Sequence, residues 1–266
     1  MGQRPVRTNH EWDAMTNVVV LVPIYKEQLD ASEIRALDAS VHQLKGRELR
    51  FVGPDGLEAG FYAQRYPAIP LDRFPAPGFA SIEEYNRLIL SQAFYARYGH
   101  FAFMLILQTD AIVFRDELDF WCAQPFVYVG ALWPKPFEIN LQTGRFEGGA
   151  GKYARGLLGN GGLSLRRIAK RRQLLQEFPA ELQVFVQSGS SEDLFFSVMG
   201  SLSVDFVMSN EFTASRFAMK GLPSHYFKVN GGHLPMGAHT WQKNEPAFWR
   251  RALPEMASVL DEVSAA

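Results

Sequence analysis

The chain has 266 residues, 47% of them apolar, enough for one large domain with a well-buried core, although two small domains remain arithmetically open. Its 27 lysines and arginines against 28 aspartates and glutamates leave no global field for nucleic acid or anionic lipid, so any phosphate recognition must be local. The single cysteine, Cys122, excludes an internal disulfide and a cysteine-rich zinc site, residues 1–13 lack the apolar stretch of a signal peptide, and no apolar run spans a bilayer, so a soluble chain in a reducing compartment is expected.

The run Val18 to Val22 is short, β-branched and closed by Pro23, which predicts a strand buried on both faces. Asp30 with Glu33 forms a capping-box signal, and Ile34, Leu37, Val41 and Leu44 then recur at helical spacing before Gly46. Leu49 to Val52 reads as a second buried strand ending in the turn cluster Gly53 to Gly56. Alternation of this kind predicts a parallel sheet. Arg73 to Gly78 reads as a proline-rich loop, after which Ser81 and Glu84 cap a helix with an inner stripe of Ile82, Tyr85, Leu88 and Ile89.

Phe101 to Leu107 is the most apolar run and predicts a central strand, broken by Gln108-Thr109-Asp110 before apolar character resumes at Ala111 to Phe114. Ligands of open α/β sheets lie at the carboxyl ends of strands, so Asp110 is well located for chemistry. From Asn140 to Gly162 glycine dominates and the spacing predicts a mobile loop, with Gly148 to Gly151 as a lid over a bound ligand. Beyond it, Leu163 to Leu165 reads as a short strand, Arg166 to Phe178 as a basic helix, and Ser191 to Met199 as a helix opening on Glu192-Asp193. The tail from Ala247 has helical spacing, and Phe248, Trp249, Arg250 and Arg251 within it suit packing on the body better than a membrane surface.

Four features carry potential chemistry, each beside a plainer reading. Asp110 suits a divalent cation bridging two phosphates, and equally a turn aspartate. Gly159-Asn160-Gly161-Gly162 lets the backbone approach a ligand, or makes a tight turn before a strand. Glu192 and Asp193 at a helix start are ionised proton acceptors, or only caps. His239, in a loop of glycine, proline and tryptophan, is a metal or phosphate partner, or a lone structural histidine, with His225 and His233 as rivals. All four fall at the ends of successive elements, where one cleft could collect them.

With these residues in view, the sequence resembles the GT-A glycosyltransferases, in particular a bacterial and fungal family catalogued as a domain of unknown function. The likeness runs from about Val18 to Trp241 and rests on Val22-Pro23-Ile24-Tyr25-Lys26, Gln108-Thr109-Asp110-Ala111, Gly159 to Arg166, Glu192 to Phe196, and His239-Thr240-Trp241. The lactose-synthase type of galactosyltransferase is a more distant comparison, and Tyr85-Asn86-Arg87 looks like its Phe-Asn-Arg helix segment. The resemblance implies one α/β domain over residues 1–266, Rossmann-like, with a mostly parallel central sheet flanked by helices, residues 1–16 as a flexible extension and 247–266 as a C-terminal helix.

It further implies a transferase that moves a sugar from a nucleotide-diphosphate sugar, a UDP-sugar above all, to a hydroxyl of a glycan or glycolipid in surface polysaccharide synthesis. Pro23, Tyr25, Asn86, Arg87, Gln108, Asp110, Gly161, Gly162 and Lys243 would bind the donor. Asp110 and His239 would hold Mn²⁺ or Mg²⁺, and Asp193, or failing it Glu192, would take the acceptor proton and invert the anomeric centre. The usual metal motif has two aspartates one residue apart, and Gln108 replaces the first, so basic groups such as Arg87 and Lys243 are alternative partners for the phosphates. No nucleic-acid partner is expected, membrane contact is at most peripheral at the inner face, the expected location is cytoplasmic, and the oligomeric state stays open. A nucleotide-sugar or glycan-binding module without catalysis is the alternative. A dinucleotide-binding oxidoreductase is disfavoured, because Pro23-Ile24-Tyr25-Lys26 stands where a G-x-G-x-x-G would follow the first strand.

Overall fold

The computed structural model describes residues 17–141 and 152–254. The expected flexible extension at 1–16, the glycine lid at Gly148 to Gly151 and the end of the tail from 255 onward lie outside the described residues.

A six-stranded sheet in the order β3-β2-β1-β4-β7-β6 forms the centre. Its strands are β1 (Val18–Pro23), β2 (Glu48–Pro54), β3 (Leu71–Phe74), β4 (Phe103–Leu107), β6 (Tyr128–Leu141) and β7 (Lys152–Arg167). The first four pair in parallel, while β7 runs antiparallel to both β4 and β6. This is the mostly parallel, helix-flanked α/β architecture expected from the sequence. Every residue of β1 and β4 is buried, because alternate side chains serve opposite faces of the sheet. Val18, Val20 and Val22 join the apolar cluster of Leu37, Phe51 and Trp121, while Val19 and Leu21 join that of Phe94, Tyr95, Leu174 and Phe195.

A smaller sheet of β5 (Ala111–Val113), β8 (Ala218–Met219) and β9 (Gly237–His239) adjoins this body in the order β5-β9-β8. Its third apolar cluster includes Trp241, Phe248 and Trp249, which places the start of the tail as a packed helix over Pro246–Ala252. The capping box appears as expected at helix Ala31–Gln43, where the Asp30 side chain accepts from Glu33 N and the Glu33 side chain accepts from Asp30 N.

Several local expectations are corrected. Arg73 lies in β3 rather than a loop, and this edge strand was hidden because only Leu71 and Phe74 are apolar. Its buried Asp72 is compensated by Arg50, Arg97 and the Tyr98 hydroxyl. On the C-terminal side of the undescribed segment, the glycine-rich stretch is a 16-residue strand rather than a loop, paired with β6 through a ladder with register shifts around Ala131 and Leu132. Glycine in such a strand marks close approach: a Cβ on Gly156 would lie 2.9 Å from the Phe137 ring. Arg166 and Arg167 belong to this strand, and the helix after them spans Ile168–Glu177.

Candidate functional site

A cleft of about 930 Å³ opens at the carboxyl ends of β1 and β4, the position that open α/β sheets use for ligands. Pro23, Tyr25 and Lys26 reach it from β1, and Gln108, Thr109 and Asp110 from the turn after β4. Asn160, Gly161 and Gly162 of β7 form one wall, with Glu192 and Asp193 at the start of helix Glu192–Gly200 beside them. Lys220 after β8, His239 at the end of β9, and Gln242 and Lys243 just beyond close the other side. Asp110, the glycine pair, Asp193 and His239 therefore share one cavity.

The centre of the site is a chain of three side chains. Asn160 Oδ1 accepts from Gly162 N at 3.3 Å and lies 2.5 Å from His239 Nδ1, while His239 Nε2 lies 3.1 Å from Asp110 Oδ1. An amide oxygen only accepts, so Nδ1 carries a proton and Nε2 is left for whatever cation, proton or metal, lies between it and the carboxylate. Burial alone would raise the Asp110 carboxyl, but the hydrogen bond to His239 and the charges of His239 and Lys243 outweigh it and hold Asp110 below the ordinary carboxylate range. Thr240, which follows, takes a left-handed φ of 49° and donates its N–H to Asp110 O at 3.2 Å.

The need for two glycines is steric. A Cβ on Gly162 would stand 2.3 Å from His239 Nε2 and 2.6 Å from Gln108 Oε1, and one on Gly161 would stand 2.6 Å from Glu192 Oε1. The tight-turn reading is corrected: both residues lie inside β7, and of the four-residue motif only Gly159 has a positive φ, 142°.

The two acidic residues have different environments. Glu192 is buried, paired with Arg166 Nη2 at 2.6 Å and 3.7 Å from Arg171 Nη1, and both arginine side chains are at most 1% exposed. Arg171 lies between the rings of Phe196 and Tyr128, 3.7 and 4.2 Å from their centroids, an arrangement that offsets part of the cost of a buried cation. Glu192 is thus committed to internal charge. Asp193 instead accepts from Gly161 N at 3.0 Å and Leu194 N at 3.1 Å. Burial, then the neighbouring Glu192 charge, push its carboxyl above the ordinary aspartate range, against bonds from Ser191 and Gly161 and the Arg166 charge. A carboxylate so raised is a better proton acceptor.

Not every expected donor residue lines the cleft. Tyr85 and Asn86 do, but Arg87 does not: its guanidinium binds Glu84 and the carbonyl of Val186. Successive helical side chains point about 100° apart, so Arg87 turns away from the wall its neighbours form. Ile82, expected in the inner stripe, is 81% exposed at the cleft mouth. Neither His225 nor His233 lines the cavity.

Lys220, Gln242 and Arg166 were not singled out from the sequence. Burial draws the Lys220 ammonium below the ordinary lysine range, opposed by the charges of Asp193 and Asp110 and assisted by Lys243. The one signal in the sequence was a lysine directly after the apolar pair Ala218-Met219.

A family model described as "Protein of unknown function (DUF5672)" matches residues 68–239, a span that takes in the cleft from Asn86 to His239 and leaves out Pro23, Tyr25 and Lys243. A search of curated proteins finds no match. Among solved structures the chain is similar to the galactosyltransferase LgtC in complex with donor and acceptor sugar analogs, and to an active-site mutant of LgtC. Each is 18% identical, covers 93% of this chain and 95% of that chain, and superposes with a TM-score of 0.47.

Proposed function

The chain belongs to the DUF5672 family, whose description leaves its function open, and from that premise we propose that it is a glycosyltransferase acting on a nucleotide-diphosphate sugar. One observation carries the reading: Asp110 paired with His239, and Asp193 bonded to Gly161, open into the same cleft at the strand ends. Transfer at an anomeric carbon needs a group that balances the charge of the departing diphosphate and a base for the incoming hydroxyl. The two carboxylates, in different environments, suit those two tasks.

In the proposed reaction Asp193 accepts the proton of an acceptor hydroxyl while that oxygen bonds to the anomeric carbon. The bond from that carbon to the diphosphate oxygen breaks with its electron pair, the nucleoside diphosphate leaves, and the centre inverts. Tyr25, Pro23 and Asn86 line the part of the cleft assigned to the nucleoside. The preference for uridine and for a glycan or glycolipid acceptor comes from the sequence resemblance.

The residues fit a divalent cation. Asn160 fixes the Nδ1 proton, so a cation in place of the proton between Nε2 and the Asp110 carboxylate would meet both groups already oriented toward it, a ligand pair of the kind metal sites use. Among the described residues no group of three or more His, Cys, Asp or Glu converges, so the other ligands would be Gln108 Oε1, phosphate oxygens and water, a mixture that suits Mg²⁺ or Mn²⁺. Such an ion would neutralise charge on the leaving diphosphate. Among the described residues no helix is long and apolar enough to cross a membrane, which is compatible with the proposed peripheral, cytoplasmic setting.

A second reading has one observation in its favour. The bonds from Gly161 N and Leu194 N are a sufficient structural reason for Asp193, as a nucleotide-sugar-binding module without catalysis would require. Incubation with a panel of nucleotide sugars, with and without Mn²⁺, separates the two. Slow release of nucleoside diphosphate that disappears in Asp193→Asn is the expected result, and saturable binding with no release from any donor would leave only the module.

A further inference from the structure

Lys220 and Gln242 are among the cleft residues that this mechanism does not use. Lys220 follows β8, and the parallel register Ala218↔Gly237 and Met219↔Ala238 brings it level with His239 on the neighbouring strand. It lines the cleft and feels the charges of both Asp193 and Asp110. Each carboxylate is already engaged, Asp110 with His239 and Asp193 with two backbone N–H groups, and Lys220 has no hydrogen bond or ion pair among the described residues. Gln242, also on the cleft wall, is 5% exposed, and its Nε2 has no partner. A half-buried ammonium that lines the cavity and a buried amide N–H of a residue in its wall both lack an acceptor among the described residues.

We infer that Lys220 and Gln242 form a donor pair for the diphosphate of the bound nucleotide, with Lys220 contacting the leaving group between the Asp110–His239 pair and Asp193. The inference rests on the nucleotide-sugar reading and names the part of the substrate these residues hold. An unpaired ammonium in partly desolvated surroundings binds an anion far more strongly than an exposed one does. Lys220 stays protonated throughout: the electron pair of the breaking bond goes to the phosphate oxygen, and the acceptor proton goes to Asp193. The amide of Gln242 adds direction without charge.

Titration calorimetry of the intact chain with UDP, GDP, uridine and inorganic pyrophosphate, in EDTA and in Mn²⁺, tests this. Lys220→Met should weaken UDP and pyrophosphate about 10- to 100-fold and leave uridine unchanged, because only the phosphates are contacted. Lys220→Arg should keep most of the affinity, and Lys220→Gln should behave like Lys220→Met, which separates charge from packing. Gln242→Leu should reduce diphosphate affinity by a smaller factor. If Lys220→Met and Lys220→Gln bind UDP as the wild type does, while Asp110→Asn does not, the assignment of Lys220 is overturned and the nucleotide-sugar reading stands. A wild type that binds neither nucleoside diphosphate nor pyrophosphate would overturn both.

Discussion

The amide N–H of Gly161 donates to the carboxylate of Asp193 across 3.0 Å, so the strand wall and the helix start fix each other's position. The same glycine has no room for a side chain, because a Cβ there would meet Glu192 Oε1 at 2.6 Å, and that oxygen is held by Arg166. Gly161→Ala should therefore displace the start of helix Glu192–Gly200 and cost about 1–3 kcal/mol, as overpacked sites do. Denaturant unfolding measures the cost, and donor turnover should fall with it. An alanine variant with wild-type stability would mean that the Glu192 carboxylate yields easily.

Asp193→Asn should behave in the opposite way toward stability. The two backbone N–H groups bond different carboxylate oxygens, so the amide keeps an acceptor for only one of them, while it removes a charge that burial and Glu192 disfavour. A folded-state pKa raised above about 3.9, the ordinary aspartate value, contributes stability that is present below that value and is lost as pH rises through the folded pKa. The variant should thus gain on the wild type as pH rises over that window, a gain set against about 1 kcal/mol for the one backbone hydrogen bond it loses. Turnover should drop about 10²- to 10⁴-fold. The wild-type rate should decline on acidification through a pKa above the usual aspartate range, a limb absent from the variant. A melting temperature that falls sharply at neutral pH would contradict the ionisation argument.

Glu192→Gln removes the carboxylate paired, among the described residues, with both Arg166 and Arg171, whose side chains are 1% and 0% exposed. Leaving a buried cation without its counter-charge costs about 3–5 kcal/mol, a large part of a typical domain's stability. Chemical denaturation should register that loss. The contrast with Asp193→Asn distinguishes the two neighbours: Glu192 holds the fold together, and Asp193 is available to a ligand. Equal and small effects of both substitutions would erase that distinction.

Much of the site could be read from residues whose position follows from strand ends. Asp110 was visible because a polar break after the apolar Phe103–Leu107 strand must lie at a carboxyl end, and Asp193 because a helix start follows a turn. What escaped depended on pairing between distant segments. Strand β8 has only two residues, too few for any periodicity, so Lys220 gave no sign that it would stand beside His239. Arg171 falls in a stretch that reads only as a basic helix, with no sign that the Tyr128 and Phe196 rings lie against its guanidinium. Gly156, Gly159, Gly161 and Gly162 suggested a loop because close side-chain approach and chain reversal both select glycine, and only tertiary contacts separate the two causes. The motif alone carries no sign of the helical rotation that turns Arg87 away from Asn86 toward Glu84 and the Val186 carbonyl.

The chain from Asn160 to His239 to Asp110 supplies the last prediction. Asn160 Oδ1 accepts from Gly162 N and from His239 Nδ1, so it sets both the ring orientation and which nitrogen faces Asp110. Asn160→Ala removes that restraint without touching either proposed ligand. Loss of an outer partner of this type lowers metal affinity about 10- to 100-fold, so Mn²⁺ titrated into the UDP-saturated variant should bind that much more weakly. Asp110→Asn should weaken it further, since it removes the only carboxylate of the pair. Two outcomes decide between a metal and a proton as the cation bridging Nε2 and the carboxylate. If UDP binds equally in EDTA and Mn²⁺ and Asn160→Ala still weakens it, the imidazolium–carboxylate pair organises the site and the metal is dropped. If the effect of Asn160→Ala appears only in Mn²⁺, the oriented imidazole acts as a ligand.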